Sequence, residues 1–228
     1  MGKIERSKAN QTFPFDGMMT ILTELFPEEA APVITRLSRD TKKDPFIILV
    51  ATLLSLRTKD ETTEKVMAAL MPRIKSPQDL IDIPLAELEK LIYPIGFYRN
   101  KAKGLKEVAA ELINSYDGAV PDTIEELIKI RGVGRKTANL VVTEGYGKPG
   151  ICVDTHVHRI SNRLGVVSTK NPHQTEDDLR KKLPLRYWIT YNALLVTFGK
   201  RICTPLSPKC SECPLESLCE KRGVVRSR

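Results

Sequence analysis

No stretch of this chain is apolar for long enough to cross a bilayer. The longest such run, Phe46 to Leu56 (FIILVATLLSL), covers 11 residues, against the roughly 20 that a spanning helix needs. The opening residues MGKIERSKANQ lack the apolar centre of a secretory signal; they read as a short polar tail. A protein without membrane contact, working inside the cell, is the expectation. Alternation of polar and apolar residues, the pattern of half-buried strands, is missing, and so are internal repeats and low-complexity blocks. There is no acidic cluster suited to magnesium, which argues against a metal-dependent nuclease. His156 and His158 have no ligand-like spacing, and only one CxxC pair occurs where structural zinc sites usually have two.

What remains is a helical chain of 228 residues, enough for one large or two small domains. LKEVAAELI places Leu105, Val108, Ala109, Leu112 and Ile113 at the spacing of one buried helical stripe. The run Phe46–Leu56 is apolar all round, as in the central helix of a bundle. Asp44 followed by Pro45 marks its start, an N-cap with proline at the first helical position. Pro72, Pro77, Pro84 and Pro94 punctuate the short helices that follow.

The net charge is +8, and its placement carries the information. Residues 1–44 are balanced and residues 45–148 carry an excess of one, so nearly all of the positive charge lies in residues 149–228. One part of the fold therefore carries an electrostatic footprint for an anionic partner. The glycine- and proline-rich stretch EGYGKPG precedes this shift and marks a boundary near residue 148.

Three motifs carry chemistry. The first is IRGVGRKTANLVV (130–142), read as a short helix over Thr123–Lys129 capped by Asp122 or Thr123, a Gly132-Val133-Gly134 turn, and a second helix from Arg135. Glycines allow positive φ and close backbone approach, and the amides opening the second helix form a site for a phosphate without sequence preference. Lys136 on that hairpin is either a phosphate contact or a reagent. The second is CVDTHVHRISNRLG (152–165), where Asp154 serves as an N-cap or as a partner for Lys136. A nucleophilic amine must be neutral, and a dry pocket with a carboxylate to relay protons would help it act. The third is Cys203-x6-Cys210-x2-Cys213-x5-Cys219. Clustered thiols in an intracellular chain point to metal, and this spacing favours an iron–sulfur cluster over zinc. Cys152 stands apart and reads as a small buried hydrophobe.

In this order, GVGRKTAN, VDTH 18 residues on, and the cysteine spacing resemble the endonuclease III family of DNA glycosylases with AP-lyase activity; LSLRTKD and IGFYRNKA match as well. The resemblance spans about residues 20–219. It implies an all-α, two-domain helix-hairpin-helix glycosylase fold. A six-helix core domain would occupy 38–148 with the hairpin at about 123–142, an iron–sulfur domain would be built from 1–37 plus 149–228, and the active-site cleft would lie between them. It implies Lys136 as the nucleophile and Asp154 as its partner. A [4Fe–4S] cluster would sit on Cys203, Cys210, Cys213 and Cys219. DNA contacts would come from Gly132, Val133, Gly134 and Arg135, with void filling by Arg57 and Phe97 and with His156 lining the site. The partner implied is damaged double-stranded DNA, met by a monomer.

Three departures stand out. Arg57 and Phe97 replace the family's usual glutamine and a familiar leucine, and Arg131 replaces a proline before the first hairpin glycine. The TPLSPK loop carries only Lys209, so Lys200 and Arg201 are the candidate substitutes for a basic loop. Two other readings stay open here: a non-catalytic DNA-binding module, and a monofunctional mismatch or adenine glycosylase.

Overall fold

The computed structural model describes residues 13–228, and the polar reading of MGKIERSKANQ lies outside them. Among the described residues there are helices and turns and no strand. In chain order the helices are α1 (Phe15–Leu25), α2 (Val33–Asp40), α3 (Pro45–Ser55), α4 (Asp60–Leu70), α5 (Pro77–Asp82), α6 (Leu85–Leu91), α7 (Tyr98–Tyr116) and α8 (Ile124–Leu127). They continue with α9 (Arg135–Leu140), α10 (Thr155–Leu164), α11 (Pro172–Lys182) and α12 (Trp188–Arg201). No helix among the described residues is long and apolar enough to cross a membrane.

The side chains bury themselves in two separate cores. The first is wrapped around α3, in which Phe46 to Leu54 are all buried. Its start is fixed as the sequence implies: Asp44 Oδ1 accepts from the amides of Phe46 and Ile47 at 2.9 and 3.0 Å, with Pro45 behind the cap. Against α3 pack Val33, Ile34 and Leu37 of α2, and the stripe Ala102, Leu105, Val108, Ala109 and Leu112 of α7. Ile113, placed in that stripe by periodicity, is only half-buried. Side chains of this size contribute about 1.5–3 kcal/mol each when fully buried.

The second core joins the two ends of the chain. Phe15, Met18, Met19 and Leu22 of α1 meet Val157, Ile160 and Leu164 of α10 and Tyr191, Leu195 and Phe198 of α12. Between α10 and α12 the approach is close at Gly199, where any Cβ would run into the His156 ring, Arg159 and Ile160.

After α9 the helix widens into a π turn, Val141–Gly145, an irregularity often found near functional sites. Its Glu144 carboxyl is only 8% exposed and accepts from Thr35 Oγ1 at 2.8 Å. Burial pushes its pKa up, more than Thr35, Lys43 and Arg39 pull it down. A folded-state pKa above the unfolded one means that ionised Glu144 weakens the fold. That loss is absent below the unfolded pKa and grows as pH rises through the folded value. Glu144→Gln, which can still accept from Thr35, should therefore melt higher at pH 7, by about 2–4 °C per kcal/mol recovered. Thermal scans across pH should show the gain fading toward pH 4.

Candidate active site

Lys136 and Asp154 come from helices that pack into different cores, and their side chains approach one another. Lys136 stands in the first turn of α9 and Asp154 caps α10, with Lys136 Nζ 3.9 Å from Asp154 Oδ2. The two readings of Asp154 turn out to be compatible. Its Oδ1 accepts from the amides of His156 and Val157 at 2.8 and 2.9 Å, which fixes the carboxylate, and Oδ2 is left facing the lysine. Lys136 is 43% exposed on its side chain and Asp154 11%, so the amine is open to solvent while the carboxylate is sheltered. Behind Lys136 the Cys152 thiol is buried, donating weakly to the Lys136 carbonyl, as expected of a packing residue.

The hairpin forms from α8 and α9. Thr123, not Asp122, caps α8 by accepting from the Glu126 amide. Gly132 has φ +87, the left-handed conformation that glycine tolerates. Gly134 does not: it is extended at φ −86 and serves as the N-cap of α9, with open space where a Cβ would stand. Val133 is buried in the first core and anchors the turn. The amides of Gly132 and Gly134 have no acceptor among the described residues. Arg135 sends its guanidinium to the second core, donating to both oxygens of Glu176 at 2.7 and 2.9 Å, and that contact holds its pKa up. Arg131 is exposed, with a loose 3.6 Å ion pair to Glu107.

His156 sits beside the pair. Burial first, then the nearby cations, outweigh Asp154 and lower its pKa. Its Nδ1 lies 3.2 Å from Arg159 Nη2, which can only donate, so the ring proton is on Nε2. Arg57 and Phe97 lie on two exposed loop tips, and Phe97 is 69% exposed, not a core aromatic. Lys200 is paired with Asp60 across the cleft at 2.6 Å, and Arg201 lies over the Phe26 ring.

Cys203, Cys210, Cys213 and Cys219 all line one recess, closed by Ile160, Leu164 and Phe198 of the second core. Among the described residues no three His, Cys, Asp or Glu side chains are grouped to grip a single metal ion. Four cysteine thiols lining one recess are the donor set that an iron–sulfur cluster takes. Arg163 Nη1 donates to Cys203 Sγ at 3.4 Å and the Lys221 amide to Cys219 Sγ at 3.3 Å, contacts of the kind that support cluster thiolates. The residues fit the group.

Residues 50–185 match the family model of the HhH-GPD superfamily of base excision DNA repair proteins, and residues 203–219 that of the iron–sulfur binding domain of endonuclease III. Endonuclease III of Thermotoga maritima is 46% identical over 90% of this chain and 99% of its own length. The chain belongs to the endonuclease III family. It is a base excision repair enzyme of the DNA glycosylase/AP-lyase class, with the family's [4Fe–4S] cluster as its cofactor. Solved members of the family have the same architecture. A non-covalent endonuclease III–DNA complex superposes with a TM-score of 0.75 at 37% identity, covering 90% of this chain and 95% of that one. A trapped endonuclease III–DNA covalent intermediate does so at 0.73 and 42%, covering 78% and 84%.

Proposed function

We propose that this chain removes oxidised pyrimidines from duplex DNA and then cuts the abasic strand, with Lys136 as nucleophile and Asp154 as its proton-handling partner. The observation that carries the reading is the split carboxylate: Oδ1 held by the helix and Oδ2 facing the amine at 3.9 Å. Plain phosphate binding has no use for that second oxygen. The damaged nucleotide must leave the stack to reach a cleft between two cores. The Lys136 amine then attacks C1′, the C1′–N bond breaks and the base leaves with a proton. Opening of the sugar ring gives an imine between Nζ and C1′. Removal of a C2′ proton expels the 3′ phosphate, and water releases the lysine. Asp154 stabilises the cationic sugar and carries protons between these steps. The cluster, when bound, contributes structure and orientation; it is not the reagent.

The DNA backbone would rest on the free amides of Gly132 and Gly134, with Val133 holding the turn. Arg135 would contribute its amide and not its guanidinium, which is engaged by Glu176. Arg131, exposed and only loosely paired with Glu107, would turn to a phosphate, Arg57 and Phe97 would fill the gap left in the duplex, and His156 would line the pocket. The two cores serve as two domains, with α2 belonging to the first, and Cys203, Cys210, Cys213 and Cys219 as cluster ligands in the second. The enzyme would act on damaged DNA as a monomer inside the cell. Support also comes from the relative that was trapped as a covalent intermediate with DNA.

The deciding experiment uses a duplex with one thymine glycol, treated with enzyme and borohydride. A covalent adduct is expected. Base release without an adduct would place the chain among monofunctional glycosylases, and neither would leave a DNA-binding module. Asp154→Asn separates chemistry from capping, since asparagine caps helices as well as aspartate. Its melting point should hold while the trapping rate falls by roughly 10²–10⁴-fold; an equal loss of both would reduce Asp154 to a cap.

A further inference from the structure

The two exposed tips share an uncommon backbone. Arg57 has φ +56 and Phe97 has φ +59, a left-handed conformation that is strained for a non-glycine residue. Such strain persists only where the surroundings hold it. The tips are also neighbours: a Cβ on Gly96 would lie 3.9 Å from the Arg57 carbonyl oxygen. One residue reaches both. The Lys101 amide donates to the Phe97 carbonyl at 3.0 Å, within the first turn of α7. Its ammonium donates to Leu54 O and Leu56 O at 2.7 Å each and to Thr58 Oγ1 at 3.0 Å. Leu56 and Thr58 flank Arg57 on either side, and the Leu54 carbonyl belongs to the end of α3, where backbone acceptors lack helical partners.

We propose that Lys101 is a positioning residue for DNA penetration, locking the Arg57 and Phe97 tips into one rigid wedge. This rests on reading those two residues as void fillers. The ammonium is held by neutral oxygens, and burial lowers its pKa to about 8. A lysine kept half-buried among three acceptors is placed for its geometry. Lys106, on the same helix, gives the contrast. It closes the end of α5 by donating to the Ile81 and Ile83 carbonyls, away from either tip.

The test is a duplex with 2-aminopurine opposite a tetrahydrofuran abasic analogue, whose fluorescence rises when the opposite base is unstacked. Lys101→Met should lose most of the rise seen with the wild type and reduce kcat/KM on a duplex lesion about 10- to 100-fold. Lys101→Arg, which can still donate to several acceptors, should restore most of both. Lys106→Met should lower the melting point yet keep the fluorescence rise. Phe97→Ala runs in parallel. If it keeps the full rise, the wedge reading falls and the Lys101 role falls with it. If it loses the rise but Lys101→Met keeps it, or Lys106→Met loses as much, the Lys101 role is overturned and the wedge reading stands. Should Lys101→Met fail to fold, Thr58→Val removes one acceptor alone and must show a partial loss; a full rise there overturns the proposal.

Discussion

A Lys136→Gln enzyme is expected to fold, keep its visible iron–sulfur absorbance and bind duplex DNA, yet form no adduct with borohydride and cut no abasic strand. The side chain is nearly half-exposed, and its contact within the chain is the 3.9 Å approach to Asp154. Removing it leaves no cavity, and the sheltered Asp154 keeps its two amide donors, so little stability depends on it. Chemistry is another matter. Glutamine is polar and only one bond shorter than lysine, but its amide nitrogen has no nucleophilic lone pair. If Lys136 is the proposed nucleophile, its loss should lower strand cleavage on the order of 10⁴-fold or more. The control is DNA affinity at a fixed salt concentration, which should change little because one exposed cation contributes one of several phosphate-range charges. An undiminished adduct in this variant would move the nucleophile elsewhere and leave Lys136 as a clamp.

The second large effect is expected from Cys213→Ala. The segment from Cys203 to Cys219 is made of short turns with few apolar side chains of its own, chiefly Leu215 and Leu218, in the second core. Without a complete ligand set it has little to order it, and structural metal sites of this size commonly decide whether a segment folds. Visible absorbance should vanish and residues beyond Ile202 should become open to protease. Activity should fall as well. Arg159 Nη2 donates to the Cys203 carbonyl at 2.9 Å and also meets His156, so disorder in the loop reaches the helix that Asp154 caps. Cys152→Ala is the matched control. Its thiol is buried away from the recess, so the variant should keep its absorbance and lose only the roughly 1 kcal/mol of a small cavity. Retained absorbance in Cys213→Ala would remove that cysteine from the ligand set.

Much of this architecture was legible because the signals are local. The Asp44–Pro45 start of α3 and the stripe of α7 are written within a turn or two of sequence. So are the glycine turn and the cysteine spacing. The pairing of Lys136 with Asp154 was legible as a chemical need of a nucleophilic amine and through resemblance, but not from local pattern, since nothing local joins residues in two cores. What escaped has the same cause. The Arg135 guanidinium is taken by Glu176, which lies 41 positions later. Lys101 sits inside IGFYRNKA, yet its acceptors lie more than 40 positions earlier. The exposure of Phe97 also escaped, because the left-handed backbone at its tip leaves no mark in composition. Gly134 was expected to share the positive φ of Gly132, but opening a helix asks only for extended backbone.

The second core also sets a timetable. Residues 33–142 can close their core as they leave the ribosome, each helix finding a partner already made. Phe15, Met18, Met19 and Leu22 of α1 must wait for Tyr191, Leu195 and Phe198, which are synthesised roughly 170 residues later, a delay of about 10–30 s at ordinary translation speeds. During that interval the first helix made exposes the apolar face that the last helix will cover. The nascent chain is therefore most in need of a chaperone at its own beginning, and a slow step late in synthesis would lengthen that exposure.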